Sequence, residues 1–216
     1  MEDKKLDNLI SLSDESFAKY LLREDLFYGK IENKAKIISE SLELGRKVGK
    51  DKKNIFSDIN KLRDFYDLDI KYEEEKIDFD YYELAYFEDE KIILNNENIR
   101  KIEDMASLIN LPIFEEIKIE DIILAHELYH KIEEDEKLFT DRVYITYKKM
   151  GFISKKVKLK ASSEIGAMAF AKSFLDLGFN PLIINYLLAK AFDKEEILYR
   201  KIYKDIKYRK IYKDIK

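Results

Sequence analysis

Apolar residues recur every three or four positions along much of the N-terminal third of the chain, a spacing that is typical of amphipathic helices. The predicted N-terminal helices lie within 13–66 and cover 13–22, 31–48 and 54–65. The pattern changes to alternation at residues 68–72, which predicts a strand. Residues 81–87 and 91–95 flank a charged turn and predict a hairpin within the sheet region 68–95. The second strand of this hairpin, 91–95, can lie at the sheet edge.

Helical spacing returns after the hairpin. The predicted elements are, in order, helices over 96–110 and 119–134, a hairpin rich in basic residues over 142–160, and a helix over 163–177. Pro112 ends the first of these helices, and Pro181 is expected to open a further one. Ser162 or Ser163 is the predicted N-cap of the helix over 163–177, which ends at Gly178.

These elements predict an α+β protein that is mostly helical, with a small mixed or antiparallel sheet. The 216 residues are expected to form one domain over 1–198, followed by a tail over 199–216. Six Gly and two Pro are too few for a fold with many β-turns. No apolar run reaches the roughly 18 residues of a membrane span or matches a signal peptide, so we expect a cytoplasmic protein without membrane contact.

The only two histidines of the chain lie four residues apart in His126-Glu-Leu-Tyr-His130, within the helix predicted over 119–134. Side chains at i and i+4 share one face of a helix, so both imidazoles can reach one metal ion. Glu127 is offset by about 100° around the helix, which suits a base beside the metal better than a ligand. This motif on a helix is typical of zinc peptidases, in which the carboxylate removes a proton from the attacking water.

A third protein ligand must be Asp or Glu, because the chain has no other His and no Cys. Glu164 is the leading candidate, since it opens a helix of small and apolar residues in which an ionisable group is costly to bury without a cationic partner. Gly166 and the alanines around it would let this helix approach the motif helix closely. Alternatively, Glu164 only meets the dipole of its own helix. Glu133, Glu134 and Asp141 rank lower, because their charged run indicates a solvated loop.

The motif and its surroundings resemble the ImmA/IrrE family of gluzincin-like zinc metallo-endopeptidases. The resemblance rests on His126-Glu-Leu-Tyr-His130 followed by Glu164-x-x-Ala167-x-x-Phe170-Ala171, and it extends over about residues 30–190. It implies that His126, His130 and Glu164 bind one zinc ion and that Glu127 is the catalytic base, although Mn, Fe or Co would also fit such ligands. It also implies limited, regulatory proteolysis of a cytoplasmic protein, such as a helix-turn-helix repressor encoded nearby in a mobile element.

The chain departs from the family pattern in several places. Met168 replaces the asparagine of the family's second motif, and residues 96–118 look like an insertion beside the cleft. Position 168 also lacks the Asp that orients a ligand imidazole in larger gluzincins, so that partner must come from elsewhere. Candidates with the right chemistry to stabilise an oxyanion in the transition state are Tyr129, Tyr144, Tyr147 and Arg142.

Two basic segments leave other functions open. Residues 142–160 contain seven basic residues and no acidic one. The nine residues 199–207 are repeated without change at 208–216, and this tail has eight Lys or Arg against two Asp. Both segments are either solvated surface or contacts for an acidic partner or nucleic acid. The alternatives to a zinc endopeptidase are therefore a non-catalytic metal-binding partner protein, of the toxin or mobile-element type, and a nucleic-acid-binding module.

Overall fold

The computed structural model of the chain describes residues 3–74, 84–88, 90–114, 117–149 and 153–203. Within these ranges it is mostly helical, with one three-stranded sheet and one two-stranded hairpin, which confirms the predicted α+β class. The helices are α1 (Lys4–Ile10), α2 (Asp14–Glu24), α3 (Lys34–Ile55), α4 (Ile59–Phe65), α5 (Asn96–Ile109), α6 (Ile119–Asp135), α7 (Lys160–Phe174) and α8 (Ile183–Ala191). The strands are β1 (Asp69–Glu73), β2 (Ala85–Glu88), β3 (Lys91–Asn95), β4 (Tyr144–Lys149) and β5 (Ile153–Lys158). No helix in the described ranges is long and apolar enough to cross a membrane.

Helix α7 lies between α3 and α6, and two glycines of α3 set its distance from α3. A Cβ atom at Gly45 would lie 2.2 Å from the carbonyl oxygen of Gly166 and 2.9 Å from the Cβ of Ala169. One turn further along α3, a Cβ at Gly49 would lie 2.8 Å from the carbonyl oxygen of Phe170. Such distances are far below van der Waals contact, so α3 and α7 can approach this closely only because these positions have no side chain.

Helix α7 contributes to both hydrophobic clusters of the described residues. Phe170 and Phe174 belong to the larger cluster, which joins the sheet to α4, α5, α6 and α8. Ile165 and Ala169 belong to the smaller cluster, which joins α7 to α2, α3 and the β4–β5 hairpin. A helix that is buried on both sides has no broad polar face, which explains why the pattern of α7 is nearly all small or apolar.

Helix α7 begins and ends three residues before the predicted range 163–177. Ser162 and Ser163 are therefore not its N-cap, and both are buried inside the helix. Their hydroxyl groups bond side chains of neighbouring helices. The side chain of Asp25, which follows α2, accepts a hydrogen bond of 3.3 Å from a backbone N–H in the first turn of α7. Glu164 consequently lies one turn inside the helix and not at its opening.

Two other helices differ from their predicted ranges. Helix α3 runs to Ile55, seven residues beyond the predicted 31–48, so the predicted helix over 54–65 begins only at Ile59. Asp58 caps that later start by accepting a hydrogen bond from the backbone N–H of Lys61 at 3.0 Å. The predicted helices over 96–110 and 119–134 match α5 and α6 to within one residue at each end.

The three-stranded sheet is mixed, with the order β1, β3, β2. Strand β3 pairs in parallel with β1 and antiparallel with β2. The prediction that the second strand of the hairpin lies at the edge is therefore wrong. The apolar run Ile92-Ile-Leu94 of β3 is completely or almost completely buried, as expected of a strand covered on both faces. Strands β1 and β2 are the two edge strands of this sheet among the described residues, while residues 81–83 of the predicted first strand lie outside them.

The described part of the predicted tail is helical and packs against the N-terminal helices. It continues a helix that spans 195–203. Ile202 is 3% exposed, and Tyr199 accepts a hydrogen bond of 3.3 Å from Asn8 of α1. Lys201 forms an ion pair of 2.7 Å with Glu24 of α2. The first residues of the repeat thus add to the core, whereas 204–216, with the whole second copy, lie outside the described residues.

We expect Gly45→Ala to lower the free energy of unfolding by about 1–3 kcal/mol, because the new methyl group would overlap the backbone of α7. In an open helix the same change would stabilise by roughly 0.5–1 kcal/mol. Gly29→Ala is the matched control, since a Cβ there would meet nothing within 4 Å. Urea denaturation measures both variants. Equal stability of the two would contradict the close packing of α3 and α7.

Asp14, in the first turn of α2, joins three parts of the fold through one nearly buried carboxylate. It accepts hydrogen bonds from Lys172 of α7 at 2.9 Å and from Arg46 of α3 and Asn180 at 3.0 Å each. Burial raises the pKa of Asp14, but these hydrogen bonds outweigh burial and hold the pKa below the ordinary value of 3.8. The ionised form therefore stabilises the folded state.

We expect Asp14→Asn to lower the free energy of unfolding at about pH 7 by about 1–3 kcal/mol, because the amide leaves charged donors poorly paired. Because the pKa of Asp14 is lower in the folded than in the unfolded protein, its carboxylate stabilises the fold fully at pH values above the unfolded-state pKa. This stabilisation is lost as the pH falls through the folded-state pKa. The difference between wild type and variant should accordingly shrink at about pH 3. Urea denaturation at both pH values, with the exposed Asp51→Asn as control, measures it. A difference that is independent of pH would refute this role.

Candidate metal centre

The predicted metal ligands converge where α6 contacts α7. The Nε2 atoms of His126 and His130 are 3.1 Å apart. The carboxylate of Glu164 lies 3.2 Å from Nε2 of His126 and 3.7 Å from Nε2 of His130. One potential ligand atom from each of the three residues lies within 4.8 Å of the others. Helical spacing explains the histidine pair, whereas Glu164 reaches it only through the packing of two helices.

A close contact between the two helices brings Glu164 to the histidines. A Cβ atom at Gly166 would lie 2.5 Å from the hydroxyl oxygen of Tyr129 and 2.7 Å from its ring. Tyr129 is completely buried, and its ring also packs against Phe170 of α7 at 5.5 Å between ring centroids. The backbone of α7 thus rests on the Tyr129 side chain. This agrees with the expectation that small residues let this helix approach α6.

The separations of the three groups suit a metal ion. Ligand atoms about 2.0–2.1 Å from a tetrahedral ion lie roughly 3.3 Å from each other. The observed distances of 3.1, 3.2 and 3.7 Å bracket this value. Two imidazole nitrogens and a carboxylate oxygen are also the donors that divalent transition metals accept. His126, His130 and Glu164 can therefore hold a metal ion.

Glu164 is ionised across the physiological pH range. Burial raises its pKa, but the hydrogen bond with His126 and nearby positive charge, from Lys160 and from the imidazoles when they are protonated, outweigh burial, so the pKa falls to about 2. The side chain nevertheless keeps 42% of its surface exposed, which leaves the carboxylate accessible from the cleft. The negative charge of Glu164 next to two imidazoles favours binding of a cation between these three groups.

Glu127 lies beside the three ligands and contributes to the walls of two adjoining clefts. It is only partly buried, and it is not one of the residues whose atoms converge as potential ligands. His130 and Glu164 also line both clefts, so the metal centre lies where the two clefts meet. Glu127 is thus next to the candidate ligands, and its role as a base stays a prediction.

The first cleft has a volume of about 350 Å³ and mostly apolar walls. Ile122 and Ile123 of α6 line it together with His126, and Met168 of α7 and Ile184 of α8 add to its apolar lining. Ala85 and Tyr86 of the edge strand β2 also line it. An apolar side chain of a ligand would fit next to the metal centre here.

The second cleft has a volume of about 720 Å³ and charged walls. Lys158 and Lys160, from the end of the basic hairpin and the start of α7, face acidic residues that include Glu90 and Asp141. The Lys158 side chain forms an ion pair with Asp141. The two sides of the metal centre therefore differ in polarity.

The predicted transition-state stabilisers do not line either cleft. Tyr129 is in the core, where its hydroxyl bonds Thr140 at 2.8 Å. Tyr144 is exposed with Lys156 over its ring, and Tyr147 packs against Phe27 with ring centroids 5.1 Å apart. Arg142 is exposed and donates a hydrogen bond to the backbone of Leu138. Tyr144 and Tyr147 lie on β4, which packs through its buried Ile145 onto α2 and α3.

Glu133 was ranked as solvated from its charged neighbourhood, and this prediction is wrong. Its side chain is only 2% exposed, and its Oε1 atom lies 3.1 Å from Nδ1 of His130. Burial raises the pKa of Glu133, but hydrogen bonds with His130 and Ser163 outweigh burial and lower it. The sequence contained one usable signal, because the i, i+3 spacing places Glu133 one turn after His130 on the same helical face.

No family model, no curated protein and no solved structure matches this chain.

We expect purified protein to bind one divalent metal ion, and His126→Ala and Glu164→Ala to weaken binding by more than about 100-fold. Loss of a direct ligand should exceed the 10–100-fold effect of losing an outer partner of a ligand. Competition with a chromophoric chelator measures the affinity, and elemental analysis distinguishes zinc from Mn, Fe and Co. Glu103→Ala, at an exposed position on α5, is the control. Unchanged affinity in both ligand variants would exclude this centre.

Proposed function

We propose that the protein is a zinc-dependent endopeptidase that performs limited proteolysis of a protein substrate. The observation that carries the proposal is the convergence of two imidazoles and the Glu164 carboxylate, with Glu127 beside them, where two open clefts meet. The resemblance of the motif residues to the ImmA/IrrE family supports the same activity. That family also suggests the substrate class, a cytoplasmic regulator such as a helix-turn-helix repressor.

Each residue of the centre has a defined task in this proposal. His126, His130 and Glu164 would hold the ion, and bound zinc supplies the Lewis acidity that makes a water molecule acidic near neutral pH. Glu127 takes the proton from the attacking water and delivers it to the leaving amine. Because Glu127 is only partly buried and lines both clefts, it can reach the water and the scissile bond.

The walls of the clefts suggest how a peptide would lie. Strand β2 pairs only with β3 among the described residues, so its outer edge can bond an extended segment. Ala85 and Tyr86 of this strand line the apolar cleft. A substrate would then place an apolar side chain against Ile123 and Ile184 and direct its charged side chains toward the second cleft. This polarity difference would select where a substrate is cut.

The alternative functions have less support. A purely structural metal would have a closed shell of four protein ligands, whereas three residues of the described part of the chain converge here beside two open clefts. Nucleic-acid binding through 142–160 and 199–216 is weakened because Lys158 is paired with Asp141 and Lys201 with Glu24. Part of the positive charge in these segments is thus neutralised within the chain.

We expect Glu127→Gln to bind zinc as wild type does but to cleave about 10²–10⁴-fold more slowly, because the amide cannot accept the proton. Zinc-loaded protein is incubated with a peptide library whose N termini are blocked, and mass spectrometry identifies newly formed N termini. Glu103→Gln, the matched exposed control on α5, should cleave at the wild-type rate.

Cleavage by Glu127→Gln at the wild-type rate would rule out Glu127 as the base. Normal zinc binding by wild type without cleavage of any peptide would instead favour the non-catalytic metal-binding protein.

A further inference from the structure

His130 is held from the side opposite the metal centre by two groups. Its Nδ1 atom lies 3.1 Å from Oε1 of Glu133 and 2.9 Å from the hydroxyl oxygen of Ser163. Glu133 and Ser163 are both buried, with 2% and 5% of their surfaces exposed. Ser163 directly precedes Glu164 on α7, so α7 provides both a metal ligand and a contact to the back of the other ligand's ring.

The hydrogen bonds among these groups fix where the proton of His130 lies. Ser163 donates its single hydroxyl hydrogen to Oε1 of Glu133. The Ser163 oxygen and the Glu133 carboxylate can then only accept, so Nδ1 of His130 must be the donor to both. A neutral imidazole carries one proton, and the Nε2 atom is therefore left with a free lone pair directed at His126 and Glu164.

The second histidine has no such partner. Nδ1 of His126 is buried and has no hydrogen-bond partner among the described residues. On its Nδ1 side only packing orients the His126 ring, whereas the corresponding side of His130 is also hydrogen-bonded. The two ligands of one helix thus differ in how firmly they are set before a metal ion arrives.

We propose that Glu133, bridged by Ser163, is the positioning residue of the metal centre and presets the tautomer of His130 for metal binding. This proposal rests on the proposed metal site and deepens it. Glu133 itself is not a ligand, because it faces Nδ1 on the far side of the ring from the convergence point. It supplies the orienting acceptor that the sequence lacks at position 168.

The test uses metal-free, full-length protein with ¹⁵N-labelled histidine. Long-range proton–nitrogen NMR spectra distinguish a protonated Nδ1 from a protonated Nε2, and wild-type His130 should show the protonated Nδ1. In Glu133→Gln the amide can donate to Nδ1, so we expect at least part of the population to shift to protonated Nε2. We also expect zinc affinity to fall about 10–100-fold, measured by chelator competition.

Glu134→Gln is the matched control, because this exposed neighbour on the same helix should change neither the tautomer nor the zinc affinity. A wild-type His130 protonated at Nε2 would overturn the proposal, even if Glu133→Gln fails to fold. A folded Glu133→Gln that keeps the protonated Nδ1 and binds zinc within about 2-fold of wild type would also overturn it. Neither readout uses peptide cleavage, so failure of the peptidase proposal would be recognised separately.

Discussion

The contact of α7 with the backbone of α3 and with Tyr129 of α6 is the constraint on which the rest of the structure depends. Gly45 and Gly49 let α3 touch the α7 backbone, and Gly166 lets α7 rest on Tyr129. Close-packed interiors tolerate few added atoms, so these positions define a narrow range of helix separations. The separation of α6 and α7 also determines the distance from Glu164 to the histidines. Stability and the metal centre are therefore determined by one set of contacts.

The metal centre is hydrogen-bonded on one side of His130 and open to two clefts on the other side. Behind His130, Glu133 and Ser163 form a buried hydrogen-bonded group, and in front of it Glu127 and Glu164 face two clefts. Buried charges are costly unless they are hydrogen-bonded, which explains why Oε1 of Glu133 is hydrogen-bonded to His130 on its own helix and to Ser163 on α7. Exposed carboxylates can remain ionised and accessible to a ligand. The proposed catalytic role requires such a division between groups that orient a ligand and groups that are open to the clefts.

Local patterns correctly predicted much of the fold and part of the site. Residues 96–110 and 119–134 were identified as helices because their apolar periodicity is strong, and the histidine pair followed from the i, i+4 spacing within one of them. Errors arose where a residue's partner is distant in sequence. Ser162 and Ser163 resemble N-caps, but they bond other helices, and Glu133 lies in a charged run although its own face of α6 is buried. A local window contains neither Ser41, the partner of Ser162, nor Ser163, the second partner of Glu133, and it does not reveal that this face of α6 is buried.

The sequence by itself determined the helical content, the absence of thiolate ligands, and the two imidazoles and a carboxylate on one helical turn. These are properties of composition and of spacing within a single element. Tertiary structure alone decided that β3 is a central strand, that Glu164 reaches the histidines, and that Glu133 contacts His130 from a buried position. Each of these depends on how separate elements pack, because burial and the distance between elements are set by the whole core and not by neighbouring residues.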